Sequence, residues 1–269
     1  MSGEGNNRAD RVIGLLAGLG PLRVWSVVIT IFGDHARCAE DEIPARQLRR
    51  LVARLGIRDD ALRVALHRLK NDGWIIARRS GRTSSYRLTA RAFAECAAAR
   101  PRIYAAAAGA GCDPVVIVAP PGKGAWPRGD DDRDSPGALR RLAPRIHVGC
   151  RGAVPPEDCL VAPLTGEPLP LWFRQRMAPR ELVEGYARLE AALREVVGLL
   201  GSAAGGLPAD GRNALRVLTI HRWRQLLLRH PDLPESFFPP GWQGESCRRH
   251  VREILRALPA LEFDDPAPA

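Results

Sequence analysis

Residues 44–91 read PARQLRRLVARLGIRDDALRVALHRLKNDGWIIARRSGRTSSYRLTAR, and this stretch decides the fold of the first third of the chain. Pro44 precedes a run with apolar residues at helical spacing, and Gly56 follows it; these residue types typically begin and end a helix. A second run with the same spacing begins at Asp59 and lasts to about Asp72. Because early acidic residues favour a helix N-terminus, we expect two helices joined by a short turn.

A β-hairpin is expected directly after these helices. Apolar and polar residues alternate from Trp74 onward, residues 80–83 form a turn, and a second alternating segment ends at Leu88. This pattern is typical of two antiparallel strands. Two helices, a short turn and a basic hairpin are together the layout of a winged helix-turn-helix.

The positive charge of the chain is concentrated in the same stretch. The whole chain has a formal net charge of +10 at pH 7, and residues 44–91 alone hold 13 arginine and lysine residues against 3 aspartates. A compact basic module in an otherwise nearly neutral sequence favours nucleic acid as the partner. The alternative is a solvated cationic face on an α+β domain that has no nucleic-acid role.

The second helix of such a pair can lie in the major groove and present side chains to base edges. We expect base contacts from its outward residues, with Arg58 at the mouth of the helix and Arg68 beside them: Arg63, Val64 and His67. The first helix is expected to contact phosphates through Arg46 and Gln47. The hairpin is expected to supply further contacts from Arg78, Arg79, Arg82, Thr83 and Ser84.

Composition divides the chain into a disordered leader, the basic module, a central region and a helical region, over residues 1–19, 20–100, 101–175 and 176–269. Short apolar runs predict central strands at residues 115–118, 146–148 and 159–161. The β-branched run from Trp25 to Phe32 fits a strand by propensity and a buried helix by length. We therefore expect an α+β protein with several domains.

Several chemistries are excluded by the spacing of their candidate residues. The six cysteines form no CxxC pair, which fits reduced thiols in a cytosolic protein. His147, Cys150 and Cys159 lack a fourth ligand, so no metal is expected. Lys123 lacks the neighbours of a phosphate-binding loop, and no catalytic residue is assigned. No apolar run reaches the roughly 18 residues that a membrane span needs.

Six segments of the chain resemble one known family. They are Trp25–Asp34, Leu55–Arg58, Leu66–Trp74, Ser85–Thr89, Leu215–Pro234 and Pro240–Trp242, which read WSVVITIFGD, LGIR, LHRLKNDGW, SYRLT, LRVLTIHRWRQLLLRHPDLP and PGW. In these segments the chain resembles the phenylacetic acid degradation repressors, the PaaX family. The resemblance covers about residues 20–100 and 210–258.

The resemblance implies an N-terminal winged helix, a central ferredoxin-like domain and a C-terminal helical domain, with the Trp25 segment as a helix. It implies a homodimeric repressor that binds double-stranded operator DNA of an aromatic catabolic operon. Phenylacetyl-coenzyme A, or a similar aryl-coenzyme A, would release it. Such a protein would have no cofactor and would act in the cytoplasm, at the nucleoid. The centre departs from the family pattern over Asp130–Pro136.

An acyl-coenzyme A effector brings phosphates and an adenine, which arginines beside a tryptophan could bind. The candidates stand together in the C-terminal motif: Arg216, Arg222, Trp223 and Arg224. Two other functions stay open. One is an architectural DNA-binding protein without an effector, and the other is a metal-dependent nuclease that would use Asp113.

Overall fold

The computed structural model describes residues 2–80, 83–109, 111–121, 139–151, 158–165, 168–203, 207–261 and 263. The chain forms two compact units, of which the first combines Met1–Tyr104, Ala191–Arg222 and His250–Ala269, and the second combines Ala105–Glu190 and Trp223–Arg249. This division differs from the consecutive ranges expected from the sequence. Three C-terminal helices each contribute residues to both units, so the units interleave along the chain.

The chain begins with helix α1 (Ser2–Gly18), where a disordered leader over residues 1–19 was expected. That expectation is wrong because burial, rather than propensity, decides this segment. Four apolar side chains at helical spacing are buried: Ala9, Val12, Ile13 and Leu16. Most helical stability in proteins comes from packing of such a face, so early Gly and Asn residues do not prevent the helix.

Helix α2 (Val24–His35) contains the segment that fitted a strand by propensity and a buried helix by length. Val27, Val28, Ile31 and Phe32 are fully buried. Every residue from Ser26 to Phe32 is buried, and these seven positions surround the helix axis, so the segment has no clear polar face and its sequence shows no amphipathic period. The helix implied by the family resemblance is confirmed here.

The predicted helix pair and hairpin are confirmed. Their elements follow one another as β1 (Ile43–Pro44), α3 (Ala45–Arg54), α4 (Asp59–Asn71), β2 (Ile75–Ser80) and β3 (Thr83–Leu88). The strands form an antiparallel sheet in the order β1-β3-β2. Gly56 ends α3 with a φ of +76°, a conformation that glycine adopts without steric cost.

Helix α5 (Ala90–Tyr104) follows the hairpin. The Thr89 hydroxyl accepts a hydrogen bond from the Ala92 N–H at 3.2 Å and so caps the N-terminus of this helix. The helix includes Pro101 in its last turn.

The second unit contains a four-stranded sheet. Its strands are β4 (Pro114–Val118), β5 (Leu139–Ala143), β6 (Ile146–Cys150) and β7 (Leu160–Pro163), in the order β5-β6-β4-β7 with every neighbouring pair antiparallel. Helix α6 (Leu171–Met177) follows the sheet. Three of these strands were predicted, and β5 was missed. The family departure at Asp130–Pro136 lies outside the described residues.

Cys112 and Cys150 form a disulfide, where the sequence predicted reduced thiols. The cause is strand register: Pro114 of β4 lies opposite Cys150 of β6, so Cys112 comes beside it. The two Cα atoms are 5.1 Å apart, within the range that a disulfide requires. Cys38 and Cys159 are thiols.

The C-terminal helices are α7 (Arg180–Ala203), α8 (Ala209–Leu227) and α9 (Gly244–Ala257), with a short 3-10 turn at Glu235–Phe237 before the last. The apolar seam of α7 is buried at each position: Leu182, Tyr186, Leu189, Leu193, Val196 and Leu200. These side chains therefore belong to the interior of the chain. Among the described residues, no helix has the length and apolar content that crossing a bilayer requires.

A buried ion pair lies in the first unit. Arg216 on α8 donates to both carboxylate oxygens of Asp34 on α2, at 2.6 and 2.8 Å, and to the carbonyl of Leu258 at 2.9 Å. The Tyr104 hydroxyl donates to Asp34 at 2.7 Å. Burial and the neighbouring Asp34 charge raise the pKa of Tyr104, so the phenol keeps the proton it donates. This cluster joins α2, α5 and α8 within one core.

Replacing Asp34 with Ala leaves the Arg216 guanidinium buried without its carboxylate, which typically costs about 3–5 kcal/mol. We expect urea denaturation of the full chain to show a loss of that size in the free energy of unfolding. The control is Glu184→Ala, which removes an exposed pair with Arg180 and should cost about 0–1 kcal/mol. Equal losses for both variants would contradict the role of Asp34.

Candidate nucleic-acid interface

Helix α4 presents to solvent the face that was predicted to read bases. Leu62 and Leu69 are buried and set the rotation of the helix. Arg63 and His67 are consequently exposed, and Val64 is 70% exposed. A large apolar side chain so exposed in the N-terminal half of a helix is a group that can contact a thymine methyl.

The arginines of this face are held by carboxylates of the same helix or its C-cap. The ion pairs are Arg63 to Asp59 at 3.3 Å, Arg58 to Asp60 at 3.3 Å, and Arg68 to Asp72 at 3.5 Å. More than half of each of these side chains is exposed. Pairs in this setting are worth about 0–1 kcal/mol, so a DNA phosphate or base edge can replace the carboxylate at small cost.

Helix α3 adds positive charge beside α4. Of the two residues predicted to contact phosphates, Arg46 is exposed and Gln47 is half-buried. Arg49 lies 3.3 Å from Asp59 and joins the two helices electrostatically. The sequence analysis missed Arg49, although its spacing of three from Arg46 places both on one helix face.

Arg78 and Arg79, the neighbouring arginines of β2, lie on opposite faces of the sheet. Arg78 is opposite Ser85, and Arg79 is opposite Ser84. Because successive strand residues alternate between faces, one flat surface cannot contact both arginines together. Both arginines and Thr83 are exposed, and Ser84 is half-buried.

Glu42 holds one of these arginines, which sequence reasoning did not foresee. Arg78 lies 3.2 Å from the Glu42 carboxylate, and the Ser85 hydroxyl donates to that carboxylate at 2.5 Å. The Ser85 hydrogen bond and the nearby Arg78 lower the pKa of Glu42, so it stays charged at neutral pH. Arg82, at the predicted tip, lies outside the described residues and stays a prediction.

The second unit has a small cavity of about 10 Å³, room for a single water molecule, with several aromatic rings in its walls. Phe238 and Trp242 stack with their centroids 4.5 Å apart, and the Tyr186 ring lies 4.3 Å from Trp242. Tyr186 and His230 are hydrogen-bonded at 2.7 Å, and Trp223 lines the same space. The walls therefore combine aromatic faces, which flat rings can stack on, with charged groups such as Arg248.

Two carboxyl groups, Glu235 and Glu245, also line this cavity. Burial, then the hydrogen bond to Glu245 and its negative charge, raise the pKa of Glu235 to about 7. Two such neighbouring carboxyl groups cannot both ionise freely, so the pair holds one proton near neutral pH. Sequence reasoning missed the pair, because its members flank the start of α9 and no spacing signals their contact.

Two parts of the chain match known protein-family models. Residues 23–92 match the family described as PaaX-like protein, and residues 179–262 match the PaaX-like protein C-terminal domain. The chain belongs to the PaaX-like protein family. It is similar to the transcriptional repressor PaaX of Escherichia coli strain K12, with 26% identity over 267 residues, covering 89% of this chain and 82% of that protein. Homology to a repressor indicates a regulatory protein rather than an enzyme.

One solved structure similar to this PaaX-like chain is the uncharacterized protein Rv0674 from Mycobacterium tuberculosis. The identity is 21%, the match covers 87% of this chain and 94% of that one, and the TM-score is 0.44.

The effector candidates of this PaaX-like chain are not gathered into one solvent-facing site. Arg216 is buried against Asp34, and Arg222 is buried with its guanidinium donating to carbonyls at the end of α1, those of Leu16, Ala17 and Gly20. We predicted from the sequence that these two arginines bind a coenzyme. The structure instead gives them an internal structural role. Trp223 is buried and lines the cavity, and Arg224 is half-buried.

The metal and nuclease alternatives find no support in the PaaX-like structure. In the part of the chain that the structure describes, no three His, Cys, Asp or Glu side chains are grouped to hold a metal ion. Cys150 is disulfide-bonded, so it cannot join His147 and Cys159 as a zinc ligand. Asp113 is exposed, and its carboxylate lies 3.9 Å from Arg151.

The acid pair predicts a pH dependence of stability. Folding raises the pKa of Glu235, so ionisation opposes folding, and stability falls as pH rises from about 4.5 to about 7. Glu235→Gln removes this penalty, and we expect it to raise the melting temperature at pH 8 but not at pH 4.5. Glu253→Gln, an exposed change on α9, is the control and should show no such difference between the two pH values. A Glu235 variant that behaved like the control would refute the pairing of Glu235 with Glu245.

Proposed function

We propose that this chain is a transcriptional repressor that binds operator DNA through a winged helix-turn-helix made of α3, α4 and the β2–β3 hairpin. The observation that carries the proposal is the exposed face of α4, where arginines flank an exposed valine. In this geometry α4 lies in the major groove while α3 crosses the backbone. The similarity to a repressor from Escherichia coli supports the same function.

Base recognition is assigned to the N-terminal half of α4. The guanidinium fork of Arg63 suits guanine O6 and N7, and the Val64 methyl groups suit the thymine methyl. His67, one turn further along, reads the adjacent base. Phosphate contacts from Arg46, Gln47 and Arg58 hold the helix in register, and each one steepens the log–log salt dependence of binding by roughly 0.9.

The aromatic cavity is the proposed site for the effector, in place of the arginines on α8. An aryl-coenzyme A thioester such as phenylacetyl-coenzyme A carries a flat ring, which can stack on Trp223, Phe238 and Trp242 once these walls move apart, because the cavity now has room for one water molecule only. Release from the operator requires that the ligand-bound form have lower DNA affinity than the free form. The repressor acts in the cytoplasm, where the chromosome is accessible.

The remaining parts of the proposal concern architecture. The sheet order β5-β6-β4-β7, with antiparallel neighbours, supports a ferredoxin-like central domain. A homodimer would place two copies of α4 in half-sites one helical turn apart, which is the usual arrangement for repressors of this kind.

Two substitutions separate base reading from phosphate binding. Arg63→Ala should lower affinity for the preferred operator by about 1–3 kcal/mol and relax preference at one base pair. Arg79→Ala, on the hairpin, should weaken binding to all sequences about equally. Both are measured by fluorescence anisotropy against operators with single base changes, at a fixed salt concentration.

The control for these variants is Arg188→Ala, an exposed arginine on α7, which should leave affinity and preference unchanged. If Arg63→Ala lost affinity without any change in base preference, the assignment of the reading face would be wrong.

A further inference from the structure

The disulfide between Cys112 and Cys150 joins positions that the sheet already brings together. Cys112 directly precedes the strand pair formed by β4 and β6, and Cys150 is the last residue of β6. The backbone pairing between Pro114 and Cys150 does not need the covalent bond. The bond can therefore be made and broken while the sheet keeps its register.

Cys112 and Cys150 are both half-buried, so neither residue is sealed in the interior of the unit. In addition, Cys150 Sγ lies 3.5 Å from the carbonyl oxygen of Asp232. After reduction, the Cys150 thiol can donate a hydrogen bond to that carbonyl. Cys150 therefore has a bonding partner in both states: Cys112 when oxidised and the Asp232 carbonyl when reduced.

The segment that the disulfide holds forms part of the aromatic cavity. Residues 105–109 lead to Cys112, and Ala108 lines the cavity. Gly109 has a φ of +64° and lies so close to the chain that an added Cβ would stand 2.7 Å from Pro234 N. The Cys112 N–H donates to the Gly109 carbonyl at 2.9 Å, so a single turn links the disulfide to this contact.

Arg248 connects residue 105 and residue 232 to Trp223, which also lines the cavity. Arg248 donates to the Ala105 carbonyl and to the Asp232 carboxylate, each at 3.4 Å. Its guanidinium lies 5.2 Å from the centre of the Trp223 ring. Glu235 and Phe238, which follow Pro234 closely in the chain, also line the cavity. The disulfide therefore restrains the segment that packs against residues 232–234, next to the cavity lining.

We propose that Cys112 and Cys150 are a redox-modification site that controls access to the aromatic cavity. The disulfide keeps residues 105–109 against residues 232–234 and the cavity closed, and the dithiol form lets this wall open. Disulfides of proteins in a reducing cytoplasm are usually transient or redox-sensing. The compartment is taken from the proposed repressor function, so this inference rests on that function.

The chemistry is thiol–disulfide exchange. A thiolate of a dithiol reductant attacks one sulfur of the pair, the sulfur–sulfur bond breaks, and a mixed disulfide forms. The second thiol of the reductant then closes its own disulfide and releases the other cysteine. Cys112 and Cys150 end as two protonated thiols, and the reductant loses two electrons and two protons. Glutathione disulfide reverses the exchange and is reduced to two glutathione molecules.

The test is hydrogen–deuterium exchange of the full chain after equilibration with glutathione disulfide or with dithiothreitol. Reduction should speed exchange about tenfold or more in peptides that cover residues 105–109 and 232–238, and leave peptides of α4 unchanged. The double variant Cys112→Ser/Cys150→Ser should show the fast rates under both conditions. Cys159→Ser, a half-buried cysteine elsewhere in the second unit, should keep the redox response.

Equal exchange in the two redox states, or peptide mapping that finds no bond between Cys112 and Cys150 after oxidation, would overturn the inference. Operator binding is measured on the same samples by fluorescence anisotropy. A chain that binds no DNA but shows the redox-dependent exchange refutes the proposed function alone. A chain that binds operator DNA without that exchange refutes only the redox site.

Discussion

The rotation of α4 about its own axis is the constraint on which the proposed DNA recognition depends. Leu62, Ala65 and Leu69 are buried, and each contributes apolar area that the helix would lose if it turned. With these residues buried, the side chains of Arg63, Val64 and His67 must face solvent. Because the ion pairs on this face are exposed and weak, the face is fixed in position while its charges stay exchangeable.

The arginines of the chain serve two different purposes, which their burial separates. One group, around α3, α4 and the hairpin, is exposed and has carboxylate partners that a phosphate can replace: Arg49, Arg58, Arg63, Arg68 and Arg78. Arg216 and Arg222 on α8 are buried, and they satisfy Asp34 and the carbonyl groups that end α1. A buried guanidinium without such partners would be costly, so these two arginines organise the core instead of binding a ligand. The part of α8 up to Arg222 thus belongs to the core of the first unit, and Trp223, which belongs to the second unit, lines the cavity.

Local sequence patterns predicted the elements around α4. Features that depend on contacts between residues far apart in the sequence could not be predicted. Pro44, Gly56 and the alternation after Trp74 each act within a few residues, so the helix pair and hairpin could be predicted. Helix α1 could not, because its stability comes from burial of Ala9 and Leu16 against the rest of the unit. The disulfide depends on the register of β4 with β6, and the pair of Glu235 and Glu245 depends on tertiary packing. The exposure of Val64 could be inferred from helical spacing, whereas the ion pair between Glu42 and Arg78 could not.

The central claim is that α4 of this PaaX-like chain reads bases in the major groove. Dimethyl sulfate footprinting of the full chain on the DNA upstream of its own gene tests this directly, because the reagent methylates guanine N7 in the major groove and adenine N3 in the minor groove. The account predicts protection of guanine N7 within the bound site, which Arg63→Ala removes at one guanine. Protection of adenine N3 alone, or no protection at a concentration where the DNA is fully bound, would contradict it.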